Sequence, residues 1–175
     1  MRRNNGGFTL IELIVVIVIL GILAVTAAPK FIDLQSDARL ATLNGMKAAI
    51  NSAVSLTYGK SLVAGKEKDA SGSKVWINGE EVDVCYGYPC AEAAKIQKVL
   101  DIGDFKVCTA DDKDKGDWCY TGGGDSASSI QIFISKSYSG SSKCYVEYQQ
   151  AKKEGTAQNE KIVPPVVKLA DGFEC

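Results

Sequence analysis

The sequence predicts an α+β chain, with one long amino-terminal helix followed by a β-rich head. Three observations carry this expectation. Residues Phe8 to Ala28 form an apolar run with a single charge, Glu12, and a helical pattern resumes after Pro29 and continues to Gly59. Beyond Gly59, short runs of β-branched and aromatic residues alternate with turn residues. All six cysteines, Cys85, Cys90, Cys108, Cys119, Cys144 and Cys175, lie in that second part.

The apolar run comes first. As a helix, Phe8–Ala28 spans about 31 Å, close to the ~30 Å hydrocarbon core of a bilayer. Arg2 and Arg3 precede it, which puts its start on the cytoplasmic side and the cysteine-bearing remainder outside. From Phe31 the apolar residues form a stripe through Leu34, Ala38, Leu43, Met46, Ile50 and Val54, with charged residues on the other face. The expected helix therefore covers residues 8–58, about 75 Å if unbroken, with 8–28 as its membrane-spanning part and Gly59 as its stop. Pro29 removes one helical hydrogen bond and Gly21 is a second weak point. The first half needs an apolar environment on every side; the second needs one partner surface, which the rest of the chain must supply.

Residues 59–175 are expected to form the head. Val75–Val82 carries Asn78-Gly79 between apolar alternations, a strong hairpin signal. Ala91–Leu100 reads as a short helix with Ile96, Val99 and Leu100 inward. Strands are expected at Phe105–Thr109, Trp118–Thr121, Ile130–Ser135 and Tyr145–Gln149, the last two as an antiparallel pair. Gln150–Glu160 reads as a polar loop, and Pro164-Pro165 precludes a central strand there.

Composition excludes several kinds of chemistry. There is no histidine, which removes histidine-based nucleophilic catalysis and histidine-ligated metals. A formal charge of −1 with no arginine-rich patch gives no reason to expect nucleic acid. The cysteines include no CxxC pair, so a disulfide framework is expected rather than zinc, and six cysteines allow about 15 pairings that spacing alone leaves open. The run Asp111–Asp117 lacks the ligand spacing of a calcium loop, with Gly116 and Gly123 at the wrong positions and two lysines inside. Gly122-Gly123-Gly124-Asp125 lacks the Lys-Ser/Thr ending of a phosphate loop. Tyr86, Tyr88, Tyr138, Tyr145 and Tyr148 have the chemistry of a sugar platform, but aromatics on half-buried strands need no ligand. No metal, cofactor or enzyme activity is expected.

Two bland readings of the front segment fit poorly. A cleaved secretory signal would have a shorter apolar core, uninterrupted by Glu12. A plain single-pass anchor leaves Glu12, costly at depth, without a purpose. Taken together, Arg2-Arg3, Gly6-Gly7, Phe8-Thr9-Leu10-Ile11-Glu12, the apolar run and Pro29 resemble the start of a type IV pilin precursor, of the IVa subclass.

The resemblance implies a leader, residues 1–7, removed by a prepilin peptidase that cuts after Gly7 and N-methylates the new amino terminus at Phe8. It implies the type IV pilin architecture: a long N-terminal helix packed on an antiparallel sheet, an αβ-loop between them, and a disulfide-bounded C-terminal region, residues 144–175, closed by Cys144–Cys175. Sequential pairing adds Cys85–Cys90 and Cys108–Cys119 to the family pattern. For assembly it implies a helical homopolymer in which Glu12 meets the Phe8 amine of a neighbour, and a Gly21–Pro29 segment that extends on entry into the filament. The implied partners are other copies of the chain, an inner-membrane platform with its ATPases, an outer-membrane secretin, and a surface or carbohydrate ligand of the heads. The implied place is the inner membrane, then an extracellular filament of a Gram-negative bacterium.

Residues Ile22–Ile50 and Gly87-Tyr88-Pro89 are also similar to the major pilins of mannose-sensitive haemagglutinin pili, which implies adhesion and biofilm formation. The runner-up is a pseudopilin of a type II secretion or DNA-uptake system. A different class altogether is a membrane-anchored periplasmic enzyme or sensor domain.

Overall fold

The computed structural model describes residues 7–109, 116–124, 128–140, 143–156, 159–172 and 175, without the side chains of 27–33. The leader residues 1–6, Asp111–Lys115 and Asp125 lie outside them. The chain falls into two compact units, Met1–Ala38 and Arg39–Cys175. Helix α1, Leu10–Val63, contributes to both.

In the first unit, α1 is assigned without a break through Gly21 and Pro29. Every described side chain from Gly7 to Thr26 is exposed, because apolar residues occupy consecutive positions and cannot be gathered on one face. Thr26 turns its hydroxyl back onto the Leu23 carbonyl at 3.0 Å, a bond that slightly bends helices. Among the described residues no helix is long and apolar enough to cross a membrane. The apolar run of the sequence reaches Ala28, and its last side chains lie outside the described set.

In the second unit, α1 buries Leu43, Met46, Ile50, Ala53, Thr57 and Ser61, steps of three and four that trace one helical face. Three features differ from expectation. Leu34 and Ala38, at the end of the first unit, are exposed, Val54 is only half-buried, and the stripe runs on through small and polar residues. The Thr57 hydroxyl is satisfied within the helix by the Ala53 carbonyl at 2.7 Å. The helix also passes Gly59, since an interior glycine costs only about 1 kcal/mol against alanine. It stops at Gly65, whose φ of +66° is a left-handed cap. There Gly65 N–H donates to Leu62 O at 3.1 Å and Lys66 N–H to Ser61 O at 2.9 Å, the paired bonds of a Schellman motif.

Strands β1 (Ser73–Ile77) and β2 (Glu80–Cys85) form the expected hairpin. Asn78 and Gly79 at φ +51° and +83° make its two-residue turn. A second turn of the same kind, Tyr86-Gly87, folds β3 (Tyr88–Pro89) onto β2. Helix α2 covers Ala93–Leu100, two residues shorter than expected. A five-stranded sheet follows, in the order β10-β7-β6-β5-β4. Its strands are β4 (Phe105–Val107), β5 (Trp118–Gly122), β6 (Ser129–Ile134), β7 (Tyr145–Gln149) and β10 (Val166–Leu169).

Two corrections concern strands. Pairing is antiparallel except for β4 and β5, which run parallel; the pair is short, lies at the sheet edge, and is closed by Cys108 N–H donating to Tyr120 O at 2.8 Å. The expected loop at 150–160 contains β8 (Lys152–Glu154), paired with β9 (Lys161–Val163). Its side chains are exposed and charged, so no apolar alternation announces it. After Pro164-Pro165 the chain returns as β10, at an edge, where a proline break is tolerated.

Alternation along β6 and β7 divides two cores. Ile130, Ile132, Val146 and Tyr148 face Leu43, Met46 and Ile50 of α1 and Ile96 of α2. On the opposite face, Phe133 packs with Cys108, Cys119, Tyr138 and Tyr145. A further cluster under the hairpin joins Ala53, Val75, Ile77, Val82, Val84 and Val99. The disulfides are Cys85–Cys90, Cys108–Cys119 and Cys144–Cys175. The last closes a loop whose chain entropy is worth about 3–4 kcal/mol. Arg39 adds a second tie to that tail, its Nη1 donating to Cys175 O at 2.7 Å.

Candidate functional site

The chemistry of the amino-terminal unit is concentrated at the start of α1. Thr9 is the last residue before the helix, and the helix begins at Leu10. The Thr9 N–H donates to Glu12 Oε2 at 2.8 Å and the Thr9 hydroxyl donates to the same oxygen at 2.7 Å. In return the Glu12 N–H points at Thr9 Oγ1 at 3.4 Å. This is a capping box: each residue satisfies an amide that the first helical turn leaves without a partner. The carboxylate also sits at the positive end of the helix dipole, where negative charge is favoured.

Both Thr9 donors converge on Oε2. Glu12 Oε1 accepts no bond among the described residues. The cap therefore fixes the carboxylate and, among the described residues, leaves one oxygen open to an outside donor. Phe8 adjoins it in the chain and is 94 % exposed. Gly7 is exposed in irregular backbone, with open space where a Cβ would stand. Gly21 is equally open, and Pro29 lies within the helix assignment. Gly6 lies outside the described residues.

Sequence reasoning singled out Glu12 but missed Thr9. The signal was present: threonine three residues before glutamate, ahead of an apolar run, is the sequence form of a capping box.

In the head the five tyrosines do not share one surface. Tyr58 and Tyr88 stack with centroids 4.4 Å apart. Tyr138 and Tyr145 pack on Phe133. Tyr148 is buried and donates its hydroxyl to Pro89 O at 2.6 Å, and burial pushes its phenol pKa up. Burial, and then Tyr58, raise that of Tyr88. Lys95 is held between Glu92 at 2.7 Å and Asp83 at 3.5 Å. Burial works against its charge, but the Glu92 bond and Asp83 outweigh it and its pKa is raised. Gly123 is a packing element: a Cβ there would meet Ile130 Cδ1 at 2.7 Å, and its carbonyl accepts the Ala93 N–H opening α2. Among the described residues no group of histidine, cysteine, aspartate or glutamate is arranged to hold a metal ion.

Comparison with known proteins gives one family model and several relatives that match part of the chain. The family model for the prokaryotic N-terminal methylation motif matches residues 2–28. The type IV narrow pilus major component of Thermus thermophilus is 50 % identical over 50 residues, covering 29 % of this chain and 43 % of that protein. The type IV major alpha-pilin of Moraxella bovis is 39 % identical over 77 residues, 43 % of this chain and 48 % of its own length. The type II secretion system core protein G of Pseudomonas aeruginosa is 42 % identical over 55 residues, 31 % of this chain and 39 % of its own. The matched stretch thus spans about half or less of these three relatives. The motif and the pilin matches support the type IV pilin family, whose members are structural subunits rather than enzymes. No solved structure matches the chain.

Proposed function

Starting from the type IV pilin family that its amino-terminal motif supports, we propose that this chain is the major structural subunit of a type IV pilus. A prepilin peptidase cleaves after Gly7 and methylates the Phe8 amine. The subunit waits in the inner membrane with its head in the periplasm, held by the apolar run Phe8–Ala28. It leaves only when other copies of that helix replace the lipid, because the run has no polar face to offer water. A head-to-tail contact that does not close then gives an open helical filament.

The observation that carries this reading is the capping box. Glu12 is fixed at the helix start with Oε1 open, one turn from the new amino terminus. An incoming Phe8 ammonium completes the carboxylate, and a copy seated out of register leaves both charges unpaired, which is costly in an apolar bundle. Gly21, Thr26 and Pro29 are the points at which α1 can lengthen on entry. The inner-membrane platform and its ATPases supply the work, and a secretin the exit, on a Gram-negative cell. The narrower likeness to mannose-sensitive haemagglutinin pilins supports a role in adhesion and biofilm formation.

Mass analysis of the mature chain tests the processing step. Loss of Met1–Gly7 with one added methyl on Phe8 is expected; an uncleaved chain, or one starting near Ala28, overturns the reading. The match to a type II secretion core protein favours a pseudopilin as the second reading. Electron microscopy of sheared cell surfaces separates the two, since a surface pilus yields filaments containing this chain and a short periplasmic fibre does not.

A further inference from the structure

The end of α1 and strand β1 frame an open apolar groove of about 590 Å³ within the Arg39–Cys175 unit. Leu56, Val63 and the Trp76 indole line it. All three are exposed, Trp76 keeping 62 % of its surface and Val63 92 %, so the groove is open to a ligand from solvent. The volume falls within the ~300–1,000 Å³ of small-molecule sites.

The polar groups at the rim narrow the occupant. Lys60 Nζ donates to Trp76 O at 2.7 Å, and Lys66 Nζ donates to Lys74 O at 2.6 Å. Each ammonium is pinned at the groove with two donor hydrogens left. Among the described residues neither has a carboxylate partner, whereas Lys74 is shared with Glu81. A stable protein interface takes about 20–30 residues a side, and ten line this groove. An apolar floor with two lysines at its rim, neither holding a carboxylate among the described residues, fits a small amphiphile with one negative head.

We propose that this groove binds a medium-chain carboxylate, its alkyl tail on Trp76, Leu56 and Val63 and its carboxylate on Lys60 and Lys66. The site lies in the head and does not depend on filament assembly. The test is equilibrium dialysis of labelled octanoate against the full chain in lipid nanodiscs, with empty nanodiscs as the blank. Saturable uptake above the blank is expected. The Lys60→Gln/Lys66→Gln double variant should bind at least about tenfold more weakly, the loss expected for a charge-assisted contact. Trp76→Ala and, separately, the exposed-site variant Leu56→Ser should weaken uptake, while Lys136→Gln should not change it. Circular dichroism and intact disulfides verify each fold. Uptake no greater than the blank, equal binding by the double lysine variant, or competition by neutral octanamide as strong as by octanoate overturns the proposal. So does self-association that requires Trp76 without octanoate uptake, which would make the groove a contact between copies.

Discussion

From Leu10 to Thr26, α1 exposes every side chain; from Leu43 to Ser61, the same helix buries one residue at each step of three or four. The backbone hydrogen bonding is of one kind throughout. What differs is where each stretch finds its apolar partner. The second stretch finds it in its own head, against Ile130, Ile132 and Val146. Among the described residues the first finds none within its own unit, and its exposed apolar side chains add nothing to the packing of the head. The comparison teaches that one continuous helix can divide its work, with folding in one part and, in the proposed filament, association in the other.

Substitutions at matched positions break or sharpen that division. The largest effect is expected at Glu12. Glu12→Ala should leave membrane insertion and head stability unchanged while removing the proposed interchain pair, whose loss would cost about 3–5 kcal/mol when buried, so sheared filaments should fall below detection by immunoblot. Normal filaments from that variant would refute the pairing. Next, Ile50→Ala should destabilise the head by about 2–5 kcal/mol in denaturant unfolding, whereas Ile17→Ala should shift it by nearly nothing yet lower filament yield. Equal effects on the head would mean that the two stretches are not separate.

Tyr148→Phe should cost about 1–3 kcal/mol, because Pro89 O stays buried without its donor. The same tyrosine predicts a direction for pH. Its folded pKa is raised, so its contribution is intact below the unfolded value near 10 and is lost as pH rises above it; Lys95, also raised, acts the same way. Head stability should therefore decline in an alkaline titration above about pH 10, with the Tyr148→Phe variant declining less steeply. The smallest expected effect is Thr9→Ala, which removes the cap for about 0.5–2 kcal/mol of local helix stability. Amide exchange at Leu10–Leu13 should rise while the head amides keep their protection.

Much of this architecture was legible because the relevant signals are local. Asn78-Gly79 announced its hairpin, and alternation announced the β6–β7 pair. Other elements follow from tertiary context. Tyr86-Gly87 makes the same turn as Asn78-Gly79, but a tyrosine at positive φ is held there by β3 pairing and by its N–H on Asp69 O at 2.7 Å, neither of which shows in the sequence. The β8–β9 ribbon pairs two exposed charged strands, and the parallel register of β4 with β5 has no periodic signature. Gly59 and Gly65 look alike as letters; only the capping hydrogen bonds at Gly65 distinguish a stop from a passage. At the front, Glu12 stood out as a charge in an apolar run, while its partner Thr9 was hidden by being ordinary.

Lys60 and Lys66 carry a consequence for life at high local concentration. β1 is an outer strand of its sheet, and an outer strand invites unwanted ladder formation with any neighbouring chain. Their ammonium groups occupy the carbonyls of Trp76 and Lys74, two acceptors that a foreign strand would need. In the proposed filament, subunits that stack by their helices must not also aggregate by their strands, and these two lysines would guard against that error where copies crowd together.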